Sequence, residues 1–116
     1  MTFACVLDCR DPERLAEFWG EALGYREADR DGRYVLLVPR AGRGPDFVLQ
    51  CVPEMKTGKN RMHLDIRTDR LDEEAERLSA LGARRLRPDV LEEAGDRWIV
   101  MADPEGNEFC VCAEAT

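Results

Sequence analysis

Val6-Leu7-Asp8-Cys9-Arg10 and His63-Leu64-Asp65-Ile66-Arg67 are the two stretches that decide the reading of this chain, because each opens the same sentence. After the first, Asp11-Pro12-Glu13 supplies an N-cap and a proline at the first helical position. Leu15, Phe18, Trp19 and Ala22 then recur at helical spacing up to Leu23-Gly24. After the second, Asp69 to Glu73 opens a helix whose apolar stripe is Ala75, Leu78 and Leu81, and Leu81-Gly82 closes it. The Leu-Asp-x-Arg motif recurs 57 residues on (Leu7 to Leu64) and the Leu-Gly pair 58 residues on (Leu23 to Leu81). A shift of half the chain is the mark of an internal duplication.

The segments after each helix repeat as well. Strands are predicted over Arg26–Ala28, Arg33–Pro39 and Phe47–Val52, with turns at Arg30-Asp31-Gly32 and Gly42-Arg43-Gly44-Pro45. The second half gives strands over Arg84–Arg87, Trp98–Ala102 and Glu108–Cys112, the last two joined by Asp103-Pro104-Glu105-Gly106-Asn107. Each half is strand-helix-strand-strand-strand. The expected fold is therefore α+β, two tandem βαβββ modules forming a curved mixed sheet around a cleft. As a single domain, module 1 covers about residues 1–53, a linker 53–60, and module 2 about 61–116.

The bulk numbers narrow the class of function. The chain has 116 residues, 44% apolar and 35% charged, which fits one ordinary globular domain. A net charge of −7 and no basic stripe argue against nucleic acid and against an anionic membrane surface. The longest apolar runs, such as Tyr34–Val38 and Trp98–Ala102, fall far short of the ~20 residues of a membrane span. Met1 leads straight into a strand-like segment without a secretion signal. Five cysteines (Cys5, Cys9, Cys51, Cys110, Cys112), an odd count without CxxC spacing, fit free thiols in a reducing cytoplasm. Most are expected to behave as small buried hydrophobes.

The paired βαβββ units, Phe18-Trp19 ahead of Leu-Gly, His63 opening the second half, and Asp-Pro-Glu-Gly-Asn before the last strand together resemble the vicinal oxygen chelate superfamily, which includes the glyoxalases and bleomycin resistance proteins. The resemblance runs over essentially the whole chain. In metal-dependent members, four inward-pointing strand residues, two of them histidine-like and two glutamates, hold a divalent ion that chelates substrate oxygens. The resemblance places those positions here on Ala4 (or Val6, on the same strand face), Gln50, His63 and Cys110. Alanine and valine bind no metal, and glutamine is a weak neutral ligand. His63, Cys110 and Gln50 form a set that zinc accepts. The expectation is nevertheless a degenerate site with no metal and no cofactor.

Period-two alternation names the rest of the cleft face. With His63 inward, Asp65 and Arg67 follow; Asp8 shares the face of Ala4 and Val6; Glu108 and Cys112 share that of Cys110. Asp8, Gln50, Asp65, Arg67, Glu108 and Cys110 are thus the expected ligand-binding residues, and His63, the only histidine, the expected catalytic acid/base or ligand anchor. Buried charges need partners, so Arg67 is expected to pair with Asp8 or Asp65. Blander readings stand beside these. Asp8 and Asp65 are explained more simply as duplicated structural residues than as a catalytic pair. Cys110 reads as an inert thiol before a nucleophile. Phe18 and Trp19 read as core or dimer contact. The phase of Trp98 is left open by Glu92–Arg97, and Lys56–Arg61 reads as a solvated linker before an anion site.

Three functions are implied by the resemblance. The first is metal-free binding of a small organic molecule, as in sequestering resistance proteins. The second is a lyase or isomerase that uses His63 as acid/base, or a metal-dependent glyoxalase- or dioxygenase-type enzyme should a metal be found. The third is a vestigial module whose cleft is filled by its own side chains. A homodimer is the expected assembly.

Overall fold

The computed structural model describes residues 3–113, so the outermost residues of both expected modules lie outside the described part. The fold is α+β, and the strands form two mixed sheets. The chain divides into two compact units, Met1–Thr57 and Gly58–Thr116.

In the first unit, β1 (Ala4–Cys9) leads to α1 (Pro12–Leu23), then β2 (Tyr25–Asp31), β3 (Tyr34–Pro39) and β4 (Asp46–Cys51). The sheet order is β1-β4-β3-β2, with β1 and β4 parallel and the other pairs antiparallel. The start of α1 is set by local chemistry: Asp11 accepts a hydrogen bond from the Arg14 backbone N–H at 3.2 Å, and Pro12 occupies the first turn. Its end is set by Gly24 in the left-handed region at φ 71°, whose N–H bonds to the Gly20 carbonyl. The buried face of α1 (Leu15, Phe18, Trp19, Ala22) packs on the sheet, where Val35, Leu37, Phe47 and Leu49 point towards it. β2 is longer than expected because its sequence, Tyr-Arg-Glu-Ala-Asp-Arg-Asp, is exposed almost throughout and shows no alternation to read. Charges on such an edge strand discourage pairing with a further chain.

The second unit repeats the plan with one addition. β5 (Asp65–Thr68) is followed by α2 (Leu71–Ala80), β6 (Arg84–Arg85), β7 (Leu91–Glu93), β8 (Asp96–Ala102) and β9 (Glu108–Ala113). The order is β5-β9-β8-β6, with β7 also pairing β8. Leu71, Ala75 and Leu78 of α2 cover Ile99, Met101, Phe109 and Val111. α2 begins two residues after Asp69, and its N-cap, Arg70, makes no side-chain cap bond. The first two strands of this unit are shorter than expected: β5 starts at Asp65 rather than His63, and β6 stops at Arg85 rather than Arg87.

β7 is a strand that the sequence pattern does not announce. Glu93 and Asp96 face each other across a hairpin whose central residues, Ala94 and Gly95, both have positive φ (52° and 88°). That is the primed-turn pattern matching the twist of the flanking strands. Alanine is strained there by roughly 1 kcal/mol, and asparagine tolerates the conformation. Ala94→Asn is therefore expected to stabilise the protein by about 0.5–1 kcal/mol. An unchanged or lowered urea midpoint would show that the turn is held in another conformation in solution.

The cysteines depart from expectation as well. Only Cys9 is buried; Cys5, Cys110 and Cys112 are half-buried and Cys51 is exposed, all as free thiols. Cys110 and Cys112 alternate onto the sheet face opposite α2, which no helix of their unit covers. Among the described residues no helix is long and apolar enough to cross a membrane.

Candidate functional site

The open face of the second sheet carries the site. The parallel register of β5 and β9 sets Asp65 beside Cys110 and Arg67 beside Cys112. The antiparallel register of β9 and β8 then sets Val100 beside Cys110 and Trp98 beside Cys112. The floor thus has two rows, Asp65-Cys110 and Arg67-Cys112-Trp98, about 7 Å apart along the strands. Above them lies an open cavity of about 910 Å³. Its walls add His63, just before β5, and Glu93, Ala94, Asp96 and Arg97 from the β7–β8 hairpin. The whole lining belongs to the second unit.

His63 Nδ1 stands 3.2 Å from Asp65 Oδ1, and both side chains are nearly half exposed. A carboxylate on Nδ1 fixes the ring and directs Nε2 away from it, the arrangement that lets an imidazole take or give a proton. Cys110 and Cys112 are not set up as nucleophiles. Burial pushes the Cys110 thiol up, and the negative charge of Asp65 adds to this against the opposing charge of Lys59. Burial, followed by Asp65, pushes Cys112 up to about 11. Both are therefore neutral thiols at neutral pH, which favours the inert reading of Cys110.

The expected site residues divide between the two units. His63, Asp65, Arg67 and Cys110 come together around the cavity. Glu108 shares their strand face, but its carboxylate accepts a hydrogen bond from Lys59 Nζ at 2.7 Å, and its backbone carbonyl accepts one from Asn60 Nδ2 at 3.3 Å. The basic segment Lys56–Arg61 thus ties itself to β9 through Lys59 and Asn60. Asp8 and Gln50 are register partners on β1 and β4, both on the exposed face of the first sheet. The expected pairing of Arg67 with Asp65 is not formed. Asp65 faces His63 instead, and the Arg67 guanidinium makes no ion pair or hydrogen bond among the described residues. The premise behind that pairing fails: Asp8, Asp65 and Arg67 are exposed, so water solvates charges that burial would have forced together. Trp98, whose phase the sequence leaves open, faces the cavity, and Arg97 and the hairpin acids join it. Gly95 is the one residue in the sequence that hints at their hairpin.

The donors match the metal of the metal-dependent relatives only in part. At the first-unit positions Ala4 and Val6 offer no donor and Gln50 only an amide, so the two-carboxylate, two-histidine pattern for a hard ion does not fit. In the second unit, ligand atoms of His63, Asp65 and Cys110 all lie within 4.8 Å of one another. Nitrogen, oxygen and sulfur donors suit zinc rather than manganese or magnesium. Zinc held by those three side chains would polarise a ligand oxygen as a Lewis acid.

Comparison with known proteins agrees with this architecture. The profile of the glyoxalase-like domain matches residues 4–112. No curated protein matches the chain. Among solved structures, a glyoxalase-related enzyme from Fulvimarina pelagi is 21% identical, with a TM-score of 0.74 over 98% of this chain and 88% of that one. A glyoxalase/bleomycin resistance protein/dioxygenase family enzyme from Burkholderia phytofirmans is 18% identical, with a TM-score of 0.73 over 95% of each chain. The fosfomycin resistance protein FosX from Listeria monocytogenes is 15% identical, with a TM-score of 0.77 over 99% of this chain and 93% of that one. At these identities the structures speak for the fold, and the profile match over nearly the whole length speaks for the family. This chain belongs to the glyoxalase-like domain family.

Proposed function

We propose that this protein binds a small organic molecule, without a metal, in the cavity of its second module, as a sequestering protein does. The observation that carries the reading is the cavity itself. Its volume of about 910 Å³ falls in the range of small-molecule sites, and a few polar groups converge on a floor that also offers an indole. The thiol at Cys110, in place of the carboxylate that the family resemblance would put there, supports the metal-free form. The two modules act as one domain, and the protein works as a homodimer in the cytoplasm; exposed Phe3 and Val6 and the free thiols are in keeping with this.

The contact between His63 and Asp65 favours a second reading, a lyase or isomerase in which His63 Nε2 moves a proton on a small oxygenated substrate while Asp65 holds the ring. One experiment separates these. The purified, untagged protein is analysed for metal, sized by light scattering, and screened by thermal shift with zinc, nickel and manganese and then with small organic ligands. The proposal expects no stoichiometric metal, a dimer, and a ligand that at a hundredfold excess over Kd adds about 2.7 kcal/mol of stability with no product formed. Product that disappears in His63→Ala, with the melting temperature unchanged, gives the second reading instead. Stoichiometric zinc held in solution overturns the metal-free form of the proposal.

A further inference from the structure

The cavity floor is electrically lopsided. Of the two guanidiniums lining it, Arg97 follows Asp96 in the chain and faces Glu92 across the hairpin, while Glu93 and Asp96 oppose each other at the rim. Arg97 thus has a carboxylate, Glu92, as its register partner. Arg67 has no carboxylate as a register partner: it lies beside Cys112, β5 is an edge strand of its sheet, and Asp65 is turned to His63. In the same row, two strands away, lies Trp98. Strands sit about 4.8 Å apart, so the guanidinium and the indole are separated by roughly the width of a small planar molecule.

Resting on the binding function proposed above, we infer that Arg67 is an anchor for a monoanionic carboxylate whose flat body lies against Trp98. A guanidinium presents two parallel N–H donors, a match for a carboxylate that a neutral amide cannot complete. The ligand carries one negative charge rather than two. Asp65, Glu93 and Asp96 share the cavity, and a second negative charge near the anchor would be repelled by them.

The test uses three probes with one ring and different heads: benzoate, benzamide and phenylphosphonate. The two indole N–H resonances of the full-length protein are followed by NMR. Trp19 is buried at 2% exposure and serves as the internal reference, while Trp98 faces the cavity. Benzoate is expected to shift the Trp98 resonance to saturation with an affinity about tenfold above benzamide, the difference made by charge-assisted hydrogen bonds. Phenylphosphonate, dianionic at pH 8, is expected to bind more weakly than benzoate. Arg67→Gln is expected to remove the preference for benzoate over benzamide and leave the Trp19 resonance in place. Equal binding of benzamide and benzoate, tighter binding of phenylphosphonate, or a preference that survives Arg67→Gln overturns the anchor while leaving the cavity as a binding site. If none of the three probes moves Trp98, the binding proposal fails along with the anchor.

Discussion

Trp19→Ala is expected to lose about 4 kcal/mol of stability, on the order of 15 °C in melting temperature for a chain of this size. The indole is 2% exposed in α1 and is fixed by two aromatic neighbours. The Phe18 ring meets it edge-on, with centroids 5.0 Å apart and planes at 88°. The Phe47 ring from β4 stacks on it at 5.7 Å and 25°. Deleting a buried Trp leaves a cavity that the sheet cannot close, because Val35, Leu37 and Leu49 are already packed. The loss is a large share of the roughly 5–15 kcal/mol that holds a domain together. Should Trp19→Ala fail to fold, Trp19→Phe keeps the question answerable: it retains the ring contact and is expected to cost only about 1–2 kcal/mol. If both variants melt like the parent, the aromatic cluster contributes little to the folded protein.

Asp103→Ala should cost about 3 kcal/mol, although it removes no hydrophobic surface. Asp103 is buried at 2% exposure in the turn between β8 and β9. One of its carboxylate oxygens accepts from the backbone N–H of Glu105 and of Asn107, each at 2.9 Å. The Asn107 side-chain amide donates to both oxygens, at 3.1 and 2.9 Å. Alanine would leave the Asn107 donors buried without that acceptor, and such orphaned groups carry most of the cost. The turn also fixes where β9 begins, and hence which face Cys110 and Cys112 take. A urea midpoint change equivalent to less than about 1 kcal/mol would mean that the backbone bonds Asp103 N–H to Asn107 and Gly106 N–H to Asp103 hold the turn unaided.

Legibility in the sequence tracks the strength of local chemistry. α1 can be read to the residue because a cap, a proline and a left-handed glycine mark its ends. The faces of β1, β4, β5 and β9 can be read because one side is apolar and the other is not, which places His63, Asp65, Arg67 and Cys110 on one face. β2 reads too short for want of an apolar side. β7 escapes the pattern because Ala94 occupies a backbone conformation usually left to Asn or Gly, so Gly95 alone is half of a turn signal. That gap hides the phase of Trp98, and with it Arg97 and the acids at the rim. Whether a charge has a partner depends on solvent exposure, which alternation does not report, and the expected Arg67 pairing is absent for that reason.

In both units the first strand pairs with the last: Ala4 with Asp46 in one, and Asp65 with Cys110 in the other. Each sheet is thus completed only after roughly forty intervening residues have been brought round, at a loop-closure entropy that must be met before any of the contacts form. The hairpins β2–β3 and β8–β9 join near neighbours and are free to form early. The parallel strand that carries Asp65 and Arg67 is consequently expected to join its module late, with the cavity floor completed towards the end of folding.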